Sequence, residues 1–157
     1  MESMSIFVLL AFLGACFLAA ATGAFFRPGT WYETLVKPDW RPPNWLFGPV
    51  WTVLYIAMAV SGWLVWREAG FSGATGALFV YAVQLLLNGS WSVLFFGLHR
   101  PDLALAEIVL LWLAIMLTIV LFWPISMVAA LLMVPYALWV GFASVLNFAI
   151  WRLNPVH

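Results

Sequence analysis

Apolar residues run along this chain in five long blocks, at about 4–26, 47–66, 76–98, 103–123 and 126–151. Each block reaches the roughly 20 residues that a helix needs to cross the hydrocarbon core of a bilayer. The pattern predicts an all-α integral membrane protein, a compact bundle of five transmembrane helices. The intervals are too short to hold a second domain, so residues 1–157 read as one five-helix unit. Pro124 marks a very short turn between the last two blocks. REAGFSGATG, residues 67–76, reads as a plain glycine-rich connector. The interval at 27–46 is long and holds four prolines, Pro28, Pro38, Pro42 and Pro43.

Composition agrees with the pattern. The chain is 66% hydrophobic and only 8% charged, too few charges to cover a soluble domain of this size. Net charge is zero, so nothing points to nucleic acid or to an acidic partner. Cys16 is the lone cysteine, and the two histidines, His99 and His157, fall at predicted membrane edges. No metal-ligand spacing, intrachain disulfide, phosphate loop or Ser/His/Asp arrangement is present, which argues against an ordinary hydrolase or nucleotide enzyme. Ala19-Ala20-Ala21 resembles a signal cleavage site. The N-terminal region, however, carries Glu2 and no basic residue, so the first block is expected to be a retained helix.

Charge also predicts direction. With five spans, Arg27, Lys37, Arg41, Arg100 and Arg152 fall on one side, and Arg67 alone on the other. The positive-inside rule puts the first loop and the C-terminus in the cytoplasm and the N-terminus outside.

The remaining signals are aromatic and polar residues inside the spans. Among the 11 tryptophans, Trp66, Trp123 and Trp151 sit at span ends, where the amphipathic indole favours the headgroup level. Trp63 and Trp112 face lipid or pack between helices. Trp51 lies one turn inside the second span, and Trp139 one turn beyond Pro135 in the fifth. A proline kink can open space between helices. Flat aromatics beside it suit either core packing or a pocket for a planar ligand.

In the third span Gln84, Asn88, Trp91 and Phe95 share a helical face, with Ser92 beside them. Amides are costly in hydrocarbon, so this face should point into the bundle, as helix–helix glue or as a polar handle for a ligand. Asp102 is expected to cap the fourth helix. Glu107 is expected to stay hydrated near the interface, with a proton relay or ligand contact as the alternative. Ala11, Ala15, Ala19 and Gly23 form a four-residue repeat of small side chains that admits another helix, within the bundle or from a second copy. The prolines of the first interval, with Trp31, Tyr32, Trp40 and Trp45, suggest a stiff lid over the bundle end. Its cations Arg27, Lys37 and Arg41 could meet anionic groups of a ligand at the rim.

WYETLVKPDWRPPNWLFGPVWTVLY, QLLLNGSWSVLFFG and VPYALWVGFASVLNFAIWRLN resemble, in order and spacing, the translocator protein family. Its members are also called tryptophan-rich sensory proteins or peripheral-type benzodiazepine receptors. The resemblance covers nearly the whole chain. It implies a five-helix bundle, commonly a homodimer in the lipid bilayer, with a ligand pocket beneath the first loop. The implied ligands are porphyrins and other tetrapyrroles (protoporphyrin IX or haem), sterol in animal members, and isoquinoline or benzodiazepine drugs. No cofactor is required. By motif position the implied pocket residues are Tyr32, Trp51, Asn88, Trp91, Trp139 and Ala143, with Phe47 and Tyr55 nearby. The implied function is a receptor with a sensory or regulatory role. The alternatives are light-dependent porphyrin degradation, with Trp51 and Trp139 as catalytic electron donors, or transport of porphyrin or sterol. In the sterol pattern of animal members, Leu146, Phe148 and Arg152 match, but Phe148 stands where they have tyrosine. High-affinity sterol binding is therefore not expected, and a bacterial member in the cell membrane is.

Overall fold

The computed structural model describes residues 2–26 and 28–155. Arg27, His157 and the side chain of Glu2, all considered above, lie outside the described residues. Five long helices carry the fold, with a short sixth in the first interval. They are α1 (Glu2–Phe25), α2 (Thr30–Thr34), α3 (Asn44–Gly73), α4 (Thr75–Ser92), α5 (Pro101–Phe122) and α6 (Met127–Leu153). A π-helical turn, Val93–Gly97, continues α4. No strand occurs among the described residues. All helices but α2 are long and apolar enough to cross a membrane.

Local chemistry sets several ends. Ser126 caps α6, its Oγ accepting the Ala129 N–H at 3.2 Å. Pro101 opens α5 at a position where its missing N–H costs nothing. Asp102 does not cap α5 as expected. It lies in the first turn, where its carboxylate accepts both arms of the Arg100 fork at 2.8 and 3.0 Å. The glycine-rich connector is also more ordered than its composition suggests. Helical structure extends into it as far as Gly73, broken by a kink at Gly70, whose φ of 69° is open to glycine at little cost.

The helices pack α5 against α4 and α6, α3 against α6, and α1 against α3 and α4. Lipid removes most of the hydrophobic gain from helix association, so close packing and interhelical hydrogen bonds must supply the cohesion. Both are present. Ser61 Oγ donates to the Ala129 carbonyl at 2.7 Å, joining α3 to α6. Trp112 Nε1 donates to the Ala137 carbonyl at 3.1 Å, joining α5 to α6. Tyr81 OH donates to the Met58 carbonyl at 2.8 Å, joining α4 to α3. Gly62 lets the Phe12 ring of α1 approach so closely that a Cβ there would lie 2.5 Å from it.

The small-residue repeat of α1 divides. Ala19 and Gly23 face α4, where a Cβ on Gly89 would stand 3.7 Å from Ala19 Cα, and one on Gly23 3.7 Å from Ser92 Oγ. Ala11 and Ala15 are exposed.

Candidate ligand-binding site

Between these helices, under the first interval, lies a cavity of about 450 Å³. That is within the usual range for small-molecule sites. Helix α2 contributes Tyr32 at the lid end. Helix α3 contributes Phe47, Trp51 and Tyr55 at spacings of four, so all three project from one face. Helix α4 supplies Asn88 and Trp91, and α6 supplies Trp139 and Ala143. The structure thus brings all eight residues named from the sequence to one cavity wall. Pro135 lies inside α6, which runs unbroken through it to Leu153.

The aromatic wall is ordered by edge contacts. The Trp51 ring lies 5.5 Å from Tyr55, 6.1 Å from Tyr136 and 6.4 Å from Trp139, nearly perpendicular to the last two. Phe47 meets Trp139 edge-on at 5.5 Å. Such pairs exceed simple area burial by about 0.5–1.5 kcal/mol in water. They also limit ring rotation, which keeps flat surfaces facing the cavity.

Behind that wall runs a polar chain. Tyr55 OH donates to Asn88 Oδ1, and Asn88 Nδ2 donates to Tyr136 OH at 2.8 Å. Tyr136 OH in turn donates to Gln84 Oε1 at 2.8 Å. Four side chains from α3, α4 and α6 satisfy one another where water is scarce. Asn88 and Gln84 therefore act as glue between helices, and Asn88 keeps only its residual capacity for a ligand. Trp91 is tied as well, donating from Nε1 to Asn147 Oδ1 at 2.9 Å, while Asn147 Nδ2 donates to the Pro101 carbonyl at 2.9 Å. Sequence reasoning missed Tyr136 and Asn147 as supports of the site. The pair Pro135-Tyr136 inside an apolar span was the available signal for the first.

Two polar groups stand outside these networks. Trp139 Nε1 is buried with no hydrogen-bond partner. Both carboxyl oxygens of Glu107 are likewise buried and unpartnered, and the residue is 8% exposed. The expectation of a hydrated Glu107 is thus corrected. Close packing of α5 against α4 and α6 covers this second turn of the helix despite its nearness to the interface.

The lid is seated by aromatic contacts. Tyr32 packs against Phe95 and Phe96 at 6.3 and 5.6 Å. Trp31 stacks on His99 at 4.3 Å, and Trp40 meets Phe142 edge-on at 5.9 Å. Lys37 does not reach the cavity. Its Nζ donates to the Tyr32 and Leu35 carbonyls at 2.7 and 3.1 Å, closing the C-terminal end of α2, and sits 4.6 Å above the Tyr32 ring. Partial desolvation and the nearby Arg41 charge lower the Lys37 pKa from its ordinary value, with Glu33 opposing. Burial raises the Tyr32 pKa, against the opposing effect of Arg41. Arg41 lies outside the cavity wall, on an open face with Asp39 and Trp45.

A model of the TspO/MBR family matches residues 7–152. The chain belongs to the TspO/MBR family. Protein CrtK of Rhodobacter capsulatus is 45% identical to it over 157 aligned positions, covering 97% of this chain and 96% of that protein. The tryptophan-rich protein TspO of Chlorobaculum tepidum is 44% identical, covering 96% and 98%. The human translocator protein is 41% identical over 126 positions, covering 79% of this chain and 75% of its own. This TspO/MBR member is a tryptophan-rich multi-pass membrane protein with five candidate spans.

Proposed function

We propose that this TspO/MBR chain is a membrane receptor for porphyrins and related tetrapyrroles, with a sensory or regulatory role in their metabolism. The observation that carries this reading is an aromatic cavity under an aromatic lid, with Trp139, whose buried Nε1 has no partner, in its wall. A flat apolar macrocycle matches the rings of Trp51 and Trp139, and an acceptor atom on the ligand would satisfy the free N–H. Isoquinoline-like drugs combine the same two features. The names of relatives, "tryptophan-rich sensory protein" and "translocator protein", accord with a ligand-responsive role. The proposed setting is a bacterial cell membrane, N-terminus outside and C-terminus cytoplasmic, with the protein as a homodimer.

The test is a titration with protoporphyrin IX in dim light, following tryptophan quenching and the porphyrin absorption band. Saturable binding at micromolar concentration or below, weakened by the double substitution Trp51→Phe and Trp139→Phe, is the expected outcome. Unchanged affinity and spectrum in the double variant would sink the assignment.

One contact favours a second reading, light-dependent porphyrin degradation. Trp51 and Trp139 are oxidisable rings in edge contact, with Tyr55 and Tyr136 next to Trp51. An excited porphyrin on this wall could take an electron from either indole. Illumination of the complex then yields a new tetrapyrrole product, whereas bleaching at the rate of free porphyrin excludes it.

A further inference from the structure

The lid has a polar tie that neither the aromatic contacts nor the cavity explains. Asn154, at the C-terminal cap of α6, turns its carboxamide onto the backbone of Val36. Val36 N–H donates to Asn154 Oδ1 at 2.9 Å, and Asn154 Nδ2 donates to the Val36 carbonyl at 2.7 Å. Nδ2 also donates to the Ile150 carbonyl at 2.9 Å, which anchors the amide to the last turn of its own helix. The side chain thus imitates the edge of a neighbouring strand, meeting one residue's donor and acceptor together. Among asparagine's near-isosteres none keeps both atoms. Aspartate lacks the donor and leucine lacks both.

This tie is the lid's polar link to the rest of the protein. Among the described residues, the other hydrogen bonds of 28–43 stay within the interval or at its junction with α3. Val36 itself is 57% exposed, so burial does not hold it in place. Tyr32, four residues earlier, lines the cavity, and the Lys37 side chain joins Val36 to it by closing α2. Releasing Val36 therefore loosens the segment that ends at the cavity wall. Asn154 is not part of that wall; its contact with it is to the backbone carbonyl of Ile150.

We propose that Asn154 is the latch of the lid, a positioning residue that sets how often the cavity opens and so how fast ligand enters and leaves. The proposal rests on the reading of the cavity as a ligand site. A latch of this kind acts on the barrier to exchange more than on the bound state. Its loss should speed entry and release together and leave affinity nearly unchanged.

The experiment compares the wild type with Asn154→Leu and Asn154→Asp in lipid nanodiscs, by two readouts. The first is amide hydrogen exchange across 30–37 without ligand. The second is stopped-flow association and dissociation of protoporphyrin IX in dim light. Asn154→Leu, which removes both atoms, is expected to lose protection at Val36 and to exchange porphyrin about ten- to thirtyfold faster in each direction, the effect of two ordinary hydrogen bonds. Asn154→Asp keeps the acceptor for the Val36 N–H and loses the donor, so it should keep most of that protection and exchange porphyrin about three- to tenfold faster in each direction. Asn154→Gln, which keeps both atoms on a longer arm, should recover part of the difference. Unchanged protection at Val36 in Asn154→Leu overturns the latch. So does faster release with unchanged entry, which marks a loss of bound-state contacts instead. If the wild type binds no porphyrin, the receptor reading fails, and hydrogen exchange still decides whether Asn154 holds the lid. Far-UV circular dichroism identifies any variant that has lost its fold; if Asn154→Leu has, the porphyrin exchange rates of Asn154→Asp serve as the test, and rates equal to the wild type in both directions overturn the latch.

Discussion

Replacing Tyr136 with phenylalanine removes one oxygen atom and keeps the ring that packs on Trp51. That oxygen is both donor and acceptor: it gives its proton to Gln84 Oε1 and receives one from Asn88 Nδ2, each at 2.8 Å. The side chain is 1% exposed, so water cannot replace the lost partner. Two amide groups on α4 are stranded by one substitution. Interhelical hydrogen bonds in membrane proteins average about 0.6 kcal/mol and reach about 1.7, because the unfolded chain in lipid also finds partners. Two such bonds give a loss of about 1–3 kcal/mol. The assay is reversible unfolding in mixed micelles, analysed as a cycle with Gln84→Leu. Once Tyr136 is phenylalanine, removing the Gln84 acceptor should cost much less than it does in the wild type, because its partner is already gone. Additive effects, or a loss below about 0.5 kcal/mol for Tyr136→Phe, refute the claim that these residues act as one network.

Other substitutions separate the wall from its supports. Trp139→Phe should weaken ligands that carry a carbonyl or carboxylate acceptor by about three- to tenfold, the effect of one hydrogen bond, and leave ligands without an acceptor nearly unaffected in the same fluorescence titration. Ala143→Leu puts three more carbons into a cavity of about 450 Å³. It should lower porphyrin affinity at least about tenfold while the unfolding midpoint barely moves. Gly62→Ala places a methyl 2.5 Å from the Phe12 ring and 3.0 Å from Tyr81. It should destabilise the α1–α3 contact by about 1–3 kcal/mol in the unfolding assay, and a neutral result would show that Phe12 swings aside freely.

The long-range outline was legible because lipid imposes a simple rule. A backbone that crosses hydrocarbon must satisfy itself, so the five apolar blocks could hardly be anything but helices. The spacing of Gln84, Asn88 and Trp91 on one helical face likewise pointed inward without knowledge of partners. What the partners were was not legible. Asn88 could meet a ligand or another helix, and only three-dimensional placement puts Tyr55 and Tyr136 on either side of it. Glu107 misled for a related reason. Its distance from the helix start suggests access to water, but exposure depends on how α4 and α6 flank that turn. Lys37 was read as a free cation at the rim. A helix of five residues leaves its carbonyl ends open, and Lys37 fills them at short range. Asn154 gave no warning at all, since one polar residue beyond the last span looks like an ordinary helix end.

The π-helical turn at Val93–Gly97 has a meaning in register. A π turn holds one residue more than the α-helical ladder would, so everything after it is rotated by about 100° relative to an uninterrupted helix. That surplus residue lets two consecutive phenylalanines, Phe95 and Phe96, both meet Tyr32 of the lid. Seen as a length change, the seat of the lid amounts to a single inserted codon. Deleting one residue between 93 and 97 would leave a membrane span of ample length and an unbroken helix. It would also turn one of the two rings away from Tyr32, separating the ability to fold in a membrane from the ability to close over its own interior.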